Sequence, residues 1–216
     1  MIQLACTLVS EGSSDAALIP ILVWLLGEHE VLPVRRIARY DPAVFRRPQK
    51  TLADRLDHAI ENFPCDILFV HRDGDTAGLA AREAEIQEAL RVSRPAGAGG
   101  PPTVSVIPIR MMEAWLLFDE ASIRFAAGCP RGRNKLELPA LSACERVSDP
   151  KALLHRCLLT ATGKSGRHLS RFNTGAAVHR VAELIPDYSR LRGLVAFRKL
   201  EANPTSALGR FQTGQA

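Results

Sequence analysis

Three apolar, β-prone runs, Ile2 to Val9, Ile67 to Val70 and Thr103 to Ile109, each run out at an acidic group: Glu11 with Asp15, Asp73 with Asp75, and Glu113. The wholly apolar core of Asp66 to Val70 is what a central parallel strand, covered on both faces, requires. Between the strands lie segments of helical spacing. Thr51 to Asn62 puts Leu52, Leu56 and Ile60 on one face, and Leu79 to Val92 has the charged and apolar spacing of an amphipathic helix. Strands alternating with helices imply right-handed crossovers and a parallel sheet, and in open sheets of this kind ligand crevices form at the carboxyl ends of the strands. The acids all fall at such ends.

The remaining segments fill in this plan. Val31 to Tyr40 reads as a second strand, Arg46 to Lys50 as a basic loop and Pro95 to Pro102 as a flexible loop rich in glycine and proline. Ser13 to Asp15 supplies caps for a helix running to about Leu26, although Pro20 inside it should remove a hydrogen bond or force a kink unless the helix proper begins later. Met112 to Leu117 has strong helix formers. Beyond Asp119 the strand signal fades into a basic, irregular stretch around Cys129 to Lys135 and two helices, near Pro150 to Thr160 and Ala176 to Leu184. The expected architecture is a Rossmann-like α/β domain over residues 1–120, its mainly parallel sheet flanked by helices, with a basic, mostly helical extension over 121–216 packed on it.

With 216 residues, 46% of them apolar, the chain can bury a core of its own. No apolar run approaches the roughly 20 residues of a membrane span, and the N-terminus lacks the basic and small-residue pattern of a secretory signal, so a cytoplasmic location without membrane contact is expected. The five cysteines, Cys6, Cys65, Cys129, Cys144 and Cys157, are odd in number and include no Cys-x-x-Cys pair. They read as reduced packing residues rather than a disulfide frame or zinc site. Charge is split along the chain: residues 1–120 hold 12 Lys and Arg against 17 Asp and Glu, whereas residues 121–216 hold 16 against 6. An acidic half able to carry a metal beside a basic half able to carry a polyanion is the balance expected when the substrate is nucleic acid, though an ordinary basic surface would look the same.

Magnesium takes hard oxygen ligands, keeps several waters and is usually held by one or two carboxylates plus substrate phosphate. Asp73 and Asp75, two apart across a turn containing Gly74, can face one ion; each alone is equally an Asx-type turn residue. Asp15 is equally a helix cap, and Glu113 equally an exposed helix residue. Their conjunction, in order and each after a strand, favours a shared cation, Mg²⁺ or Mn²⁺, at Glu11, Asp15, Asp73, Asp75 and Glu113. His71, two before Asp73, is a ligand or proton carrier if it is not simply packed. Arg131, Arg133, Lys135, Lys164, Arg167 and Arg171 are the candidates for contact with a phosphate backbone, with His168 among them.

The order Glu11-Gly12-x-Ser14-Asp15, then Asp73-x-Asp75 after an apolar strand, resembles the Toprim domain shared by topoisomerases, DnaG-type primases, small RNA-maturation nucleases and OLD-type nucleases. Glu113-Ala114-Trp115-Leu116-Leu117 looks more specifically like a group of short bacterial Toprim-like proteins of unassigned function, with Ala196 to Leu200 a weaker echo. The resemblance covers residues 1–120 by motif. It implies that Glu11 is the Toprim glutamate, that Asp73 and Asp75 are its metal-binding aspartates, that Asp15 is the second acid used by OLD-type enzymes, and that Glu113 takes the later acidic position. It further implies Mg²⁺-dependent phosphodiester chemistry. OLD-type nucleases also use a lysine near the metals, for which Lys164 is the first candidate and Lys135 the second.

The chain departs from the better-known relatives. It carries no ATPase motif before the Toprim-like region; Gly163-Lys164-Ser165 resembles the end of a P-loop, but Leu158 stands where that motif needs glycine. No zinc-binding cysteine cluster points to a primase, and Tyr40 and Tyr188 are the only tyrosines available to a topoisomerase. The expected function is a small Toprim nuclease acting on DNA or RNA, OLD-like and serving in phage defence. The alternative is a non-catalytic Toprim-fold subunit that binds nucleic acid or an ATPase partner encoded nearby.

Overall fold

The protein is described from a computed structural model that covers residues 2–33, 37–40, 51–94 and 99–212. The strands among the described residues are β1 (Ile2–Leu4), β2 (Cys6–Val9), β3 (Val31–Pro33), β4 (Ala38–Tyr40), β5 (Ile67–His71) and β6 (Thr103–Val106). β1 pairs with β3, and the other four form a sheet in the order β4-β2-β5-β6; every pairing is parallel. From β2 the chain goes to β4 on one flank and then to β5 on the other, so the strand order reverses between β2 and β5. The crevice of an open α/β sheet lies at such a reversal.

Alternation along the strands explains the layers. Cys6, Leu8, Ile67 and Phe69 face one core, while Val9, Leu68 and Val70 face the other. The second face is covered by α2 (Leu52–Asn62) and α3 (Gly78–Ser93), which bring Ala53, Leu56, Ala59, Ile86 and Ala89 to it. α2 starts where its sequence says: the Asp54 N–H donates to Thr51 Oγ1 at 3.1 Å and the Thr51 N–H to Asp54 Oδ2 at 3.2 Å, a reciprocal cap worth about 1 kcal/mol. The first face is covered by α1 (Leu18–Glu28) and by helices of the C-terminal half.

Several expectations sharpen here. The Ile2 to Val9 and Val31 to Tyr40 strands are each two short strands, and the basic loop Arg46 to Lys50 lies outside the described residues, as do residues 95–98 of the Pro95 to Pro102 loop. Residues Ser13–Ala17 form a 3₁₀ turn and the α-helix proper begins at Leu18. Pro20 thus falls in its first turn, where a missing N–H is best tolerated. Met112–Leu116 is likewise a 3₁₀ turn.

The C-terminal half contains α4 (Glu120–Ala126), α5 (Pro150–Ala161), α6 (Gly166–Ser170), α7 (Thr174–Leu184) and α8 (Val195–Gln212), and no strand follows β6 among the described residues. It shares one apolar core with the sheet. Trp24 of α1 meets Tyr188 edge-on at 6.0 Å, Trp115 meets Phe197 of α8 at 5.5 Å, and Tyr188 Oη donates to the Ala182 carbonyl at 2.5 Å. The buried Glu145 carboxylate accepts the N–H groups of Val195 and Ala196, both at 2.9 Å, and so sits at the positive end of α8. No described helix is long and apolar enough to cross a membrane.

Candidate functional site

The β2–β5 register sets Val9 beside Val70, and two residues further along both strands Glu11 meets Arg72. Arg72 Nη1 bonds Glu11 Oε1, and its Nη2 lies 2.7 Å from Glu85 Oε1 on α3. Arg82, also on α3, donates from Nη1 to Glu85 Oε2 at 2.8 Å and from Nε to the Asp73 carbonyl at 2.8 Å, with Nη2 3.9 Å from Asp75 Oδ2. The acids at the strand ends are therefore interleaved with arginines. From β4, Arg39 donates to the Gly12 carbonyl at 3.2 Å and braces the first turn.

The Asp73-Gly74-Asp75 turn continues the β5–β6 ladder. The Gly74 N–H donates to the Pro108 carbonyl at 2.9 Å and the Asp75 N–H to that of Arg110 at 3.1 Å. A Cβ on Gly74 would lie 2.4 Å from the Ile109 oxygen and 2.6 Å from that of Pro108, which explains why glycine separates the two aspartates. Asp75 adopts φ 44°, a left-handed conformation that aspartate accepts better than most residues. Asp73 Oδ1 accepts the Met112 N–H at 3.2 Å, which ties this turn to the 3₁₀ turn bearing Glu113.

Asp15 is buried, and its Oδ2 accepts the N–H groups of Glu11 at 3.0 Å and Gly12 at 2.8 Å, while Oδ1 takes the Ser14 hydroxyl at 3.2 Å. It shapes the Glu11 turn. Its charge nevertheless reaches the centre: burial, first, and then the charges of Asp73 and Asp15 push the Glu113 carboxyl above its ordinary range, against opposing pulls from its own backbone N–H and Lys151. Glu113 is only 3% exposed. His71 is 1% exposed and its Nδ1, facing the Val106 carbonyl at 2.9 Å, must carry a proton because a carbonyl can only accept. Its Nε2 is buried 3.4 Å from Asp73 Oδ1, a long ion contact rather than a formed hydrogen bond, and has no other partner. Burial pulls the imidazole's pKa down, but Asp73, Asp15 and the Val106 carbonyl together outweigh it and the net shift is upward.

Tested against a divalent cation, the donor set fits by chemistry. Its acids offer carboxylate oxygens, Asp73 Oδ2 has no hydrogen bond among the described residues, Glu113 is buried and feels the charges of Asp73 and Asp15, and His71 Nε2, buried without a hydrogen bond among the described residues, faces Asp73. Two carboxylates are as many as Mg²⁺ commonly takes from protein. The acids are not gathered into one cage: no group of three or more His, Cys, Asp or Glu side chains among the described residues is arranged to hold a metal. Glu11 is on Arg72, Asp15 on backbone amides, and Asp75 turns toward Arg82.

Lys164, Arg167, His168 and Arg171 are exposed around α6, and none contacts these acids. The lysine that does approach is Lys151 at the start of α5, with Nζ 3.9 Å from Glu113 Oε1. Arg131, Arg133 and Lys135 are exposed on a loop anchored by Arg124 Nη2 to the Asn134 carbonyl at 2.8 Å and by Asn134 Nδ2 to the Thr160 carbonyl at 3.0 Å. That second bond brings the loop to the end of α5, next to Gly163 and Lys164. Arg72, Arg82 and Lys151 escaped the sequence reading; only the placement of Arg72 directly before Asp73 hinted at any of them.

No family model matches the chain, and no curated protein or solved structure is significantly similar to it.

Proposed function

We propose that this protein is a small, cytoplasmic, Toprim-like nuclease whose acidic centre binds Mg²⁺ or Mn²⁺ and whose basic C-terminal half holds DNA or RNA. The observation that carries this reading is that the Glu11 and Asp73 turns follow β2 and β5, where the strand order reverses, with Asp15 and Asp73 close enough to act electrostatically on Glu113. Asp73 and Glu113 would hold the ion, joined by Glu11 once it leaves Arg72, with Asp75 beside them. Asp15 holds the Glu11 turn in shape. His71, fixed by Val106, orients Asp73 and can keep a proton at Nε2. Lys151 is the cation placed to meet a phosphate oxygen near Glu113. A divalent ion bound in such a site supplies an activated water and neutralises the departing oxygen. Arg131, Arg133, Lys135, Lys164, Arg167 and Arg171 would fix the backbone, and defence against phage is the biological setting the OLD resemblance offers.

The test is Asp73→Asn. The amide retains an oxygen for the Met112 N–H, so the fold survives, while the charge that an ion needs is gone. Cation-dependent cleavage of DNA or RNA should fall about a thousandfold or more, several kcal/mol of lost transition-state stabilisation. Cleavage retained by the variant sinks the assignment. The pairing of Glu11 with Arg72 favours a second reading, a non-catalytic subunit that binds nucleic acid or an ATPase partner. Wild-type protein inert with every divalent cation, yet still binding nucleic acid, would select it.

A further inference from the structure

Building on the divalent-cation reading of this centre, we propose that Arg72 is its displaceable counter-cation: it occupies the Glu11 carboxylate in the ion-free protein and moves to substrate phosphate when an ion takes that carboxylate. The guanidinium is shared, with Nη1 on Glu11 and Nη2 on Glu85 at 2.7 Å, so releasing Glu11 leaves it anchored. Glu85 is itself held by Arg82, which grips the Asp73 carbonyl, and the anchor is thus part of the frame of the Asp73 turn. The exchange has a direction. Glu11 is 41% exposed against 14% for Arg72, so an ion arriving from solvent meets the carboxylate first and the guanidinium is already inside. An ion and a guanidinium on one carboxylate repel each other, and the planar fork of arginine, whose buried Nε has no hydrogen-bond partner among the described residues, matches the oxygens of a phosphate.

The exchange makes Arg72 a positioning residue whose effect on ion binding and on phosphate binding has opposite sign. The experiment measures Mn²⁺ affinity of the full chain by titration calorimetry for wild type, Arg72→Gln, Glu11→Gln and the double variant. Arg72→Gln should bind Mn²⁺ about tenfold tighter, and the gain should vanish in the Glu11→Gln background, because coupled groups are non-additive. An unchanged or weaker affinity overturns the exchange, and so does a gain that survives Glu11→Gln, which would be a general charge effect. Should Arg72→Gln not fold, Arg72→Met keeps an unbranched chain but not the charge and should bind Mn²⁺ more tightly than wild type; no gain again overturns it. Fluorescein-labelled DNA and RNA oligonucleotides supply the second readout: Arg72→Gln should weaken their binding several-fold in Ca²⁺ and leave it unchanged in EDTA. Equal weakening in both, or no weakening in Ca²⁺, removes the phosphate role. Mn²⁺ bound by wild type with no effect of Arg72 defeats this exchange alone, whereas no Mn²⁺ binding by any of the four proteins defeats the cation reading with it.

Discussion

Replacing Gly74 with alanine puts a methyl group 2.4 Å from the Ile109 oxygen, 2.6 Å from that of Pro108 and 2.9 Å from the Ile109 carbonyl carbon. All three are backbone atoms, so no side chain can rotate away. Restoring ordinary contact requires a shift of about 1 Å of the turn against the end of β6. That shift breaks the Gly74 to Pro108 and Asp75 to Arg110 hydrogen bonds, now 2.9 and 3.1 Å. Two backbone bonds at about 1 kcal/mol each, with residual overpacking of about 1–2 kcal/mol, give an expected loss of about 2–4 kcal/mol. Urea unfolding followed by the fluorescence of Trp24 and Trp115 measures it. Gly12 provides the control: it lies in the other glycine-bearing acidic turn, but a Cβ there has only Ser14 Oγ at 3.8 Å, so Gly12→Ala should stay within about 1 kcal/mol. A loss below about 1 kcal/mol for Gly74→Ala, or an equal loss at Gly12, would refute the claim that the ladder beside β6 forces glycine between the two aspartates.

Glu113, whose carboxyl is held above its ordinary range by burial and then by Asp73 and Asp15, binds its proton more tightly folded than unfolded, so stability falls as pH rises above its unfolded value of about 4.5. Glu113→Gln should therefore stabilise the ion-free protein at neutral pH, with the gain fading below that value; a gain independent of pH across a denaturation series would contradict it. Glu145→Ala strands the Val195 and Ala196 N–H groups at the start of α8 and should cost about 2–4 kcal/mol in urea titrations, and a cost under about 1 kcal/mol would mean that α8 is held by packing alone. Reversing the charge of Arg167 and Arg171 should weaken nucleic-acid binding to all sequences alike and lower the salt slope by about one per phosphate contact. An unaltered slope would make this surface a site for protein docking.

The positions of the strands and acidic turns were legible because their signals are local, although Ile2 to Val9 and Val31 to Tyr40 are each divided between two sheets. Apolar runs of four or five residues, Gly74 between two aspartates, and the Leu52, Leu56 and Ile60 spacing each specify their geometry within a few positions. The helical second half was only partly legible. α4 and α6 are short, and α8 contains Pro204 and Gly209, residues that argue against a helix when read alone. The arginines of the site were barely legible, Arg72 only by its place before Asp73, since Arg72 reaches Glu11 through the β2–β5 register and Arg82 reaches Asp73 from a helix that follows it. Lys151 was hidden for the same reason, its approach to Glu113 spanning 38 residues of chain. Asp15 illustrates the reverse: in place of the helix cap its position allowed, it accepts the N–H groups of Glu11 and Gly12 that precede it, while its charge still contributes to the centre.

The aromatic contacts that join Trp24 and Trp115 to Tyr188 and Phe197 put the acidic and basic halves into one core. In thermodynamic terms the two halves then have no separate melting points. A ligand that binds only the native state raises the free energy of unfolding by RT ln(1 + [L]/Kd), and in a cooperative unit that increment is shared by every residue of the core. A polyanion on the arginine-rich surface would therefore raise the free energy of the global unfolding that exposes the Asp73 turn, and an ion at the turn would do the same for the helices of the other half.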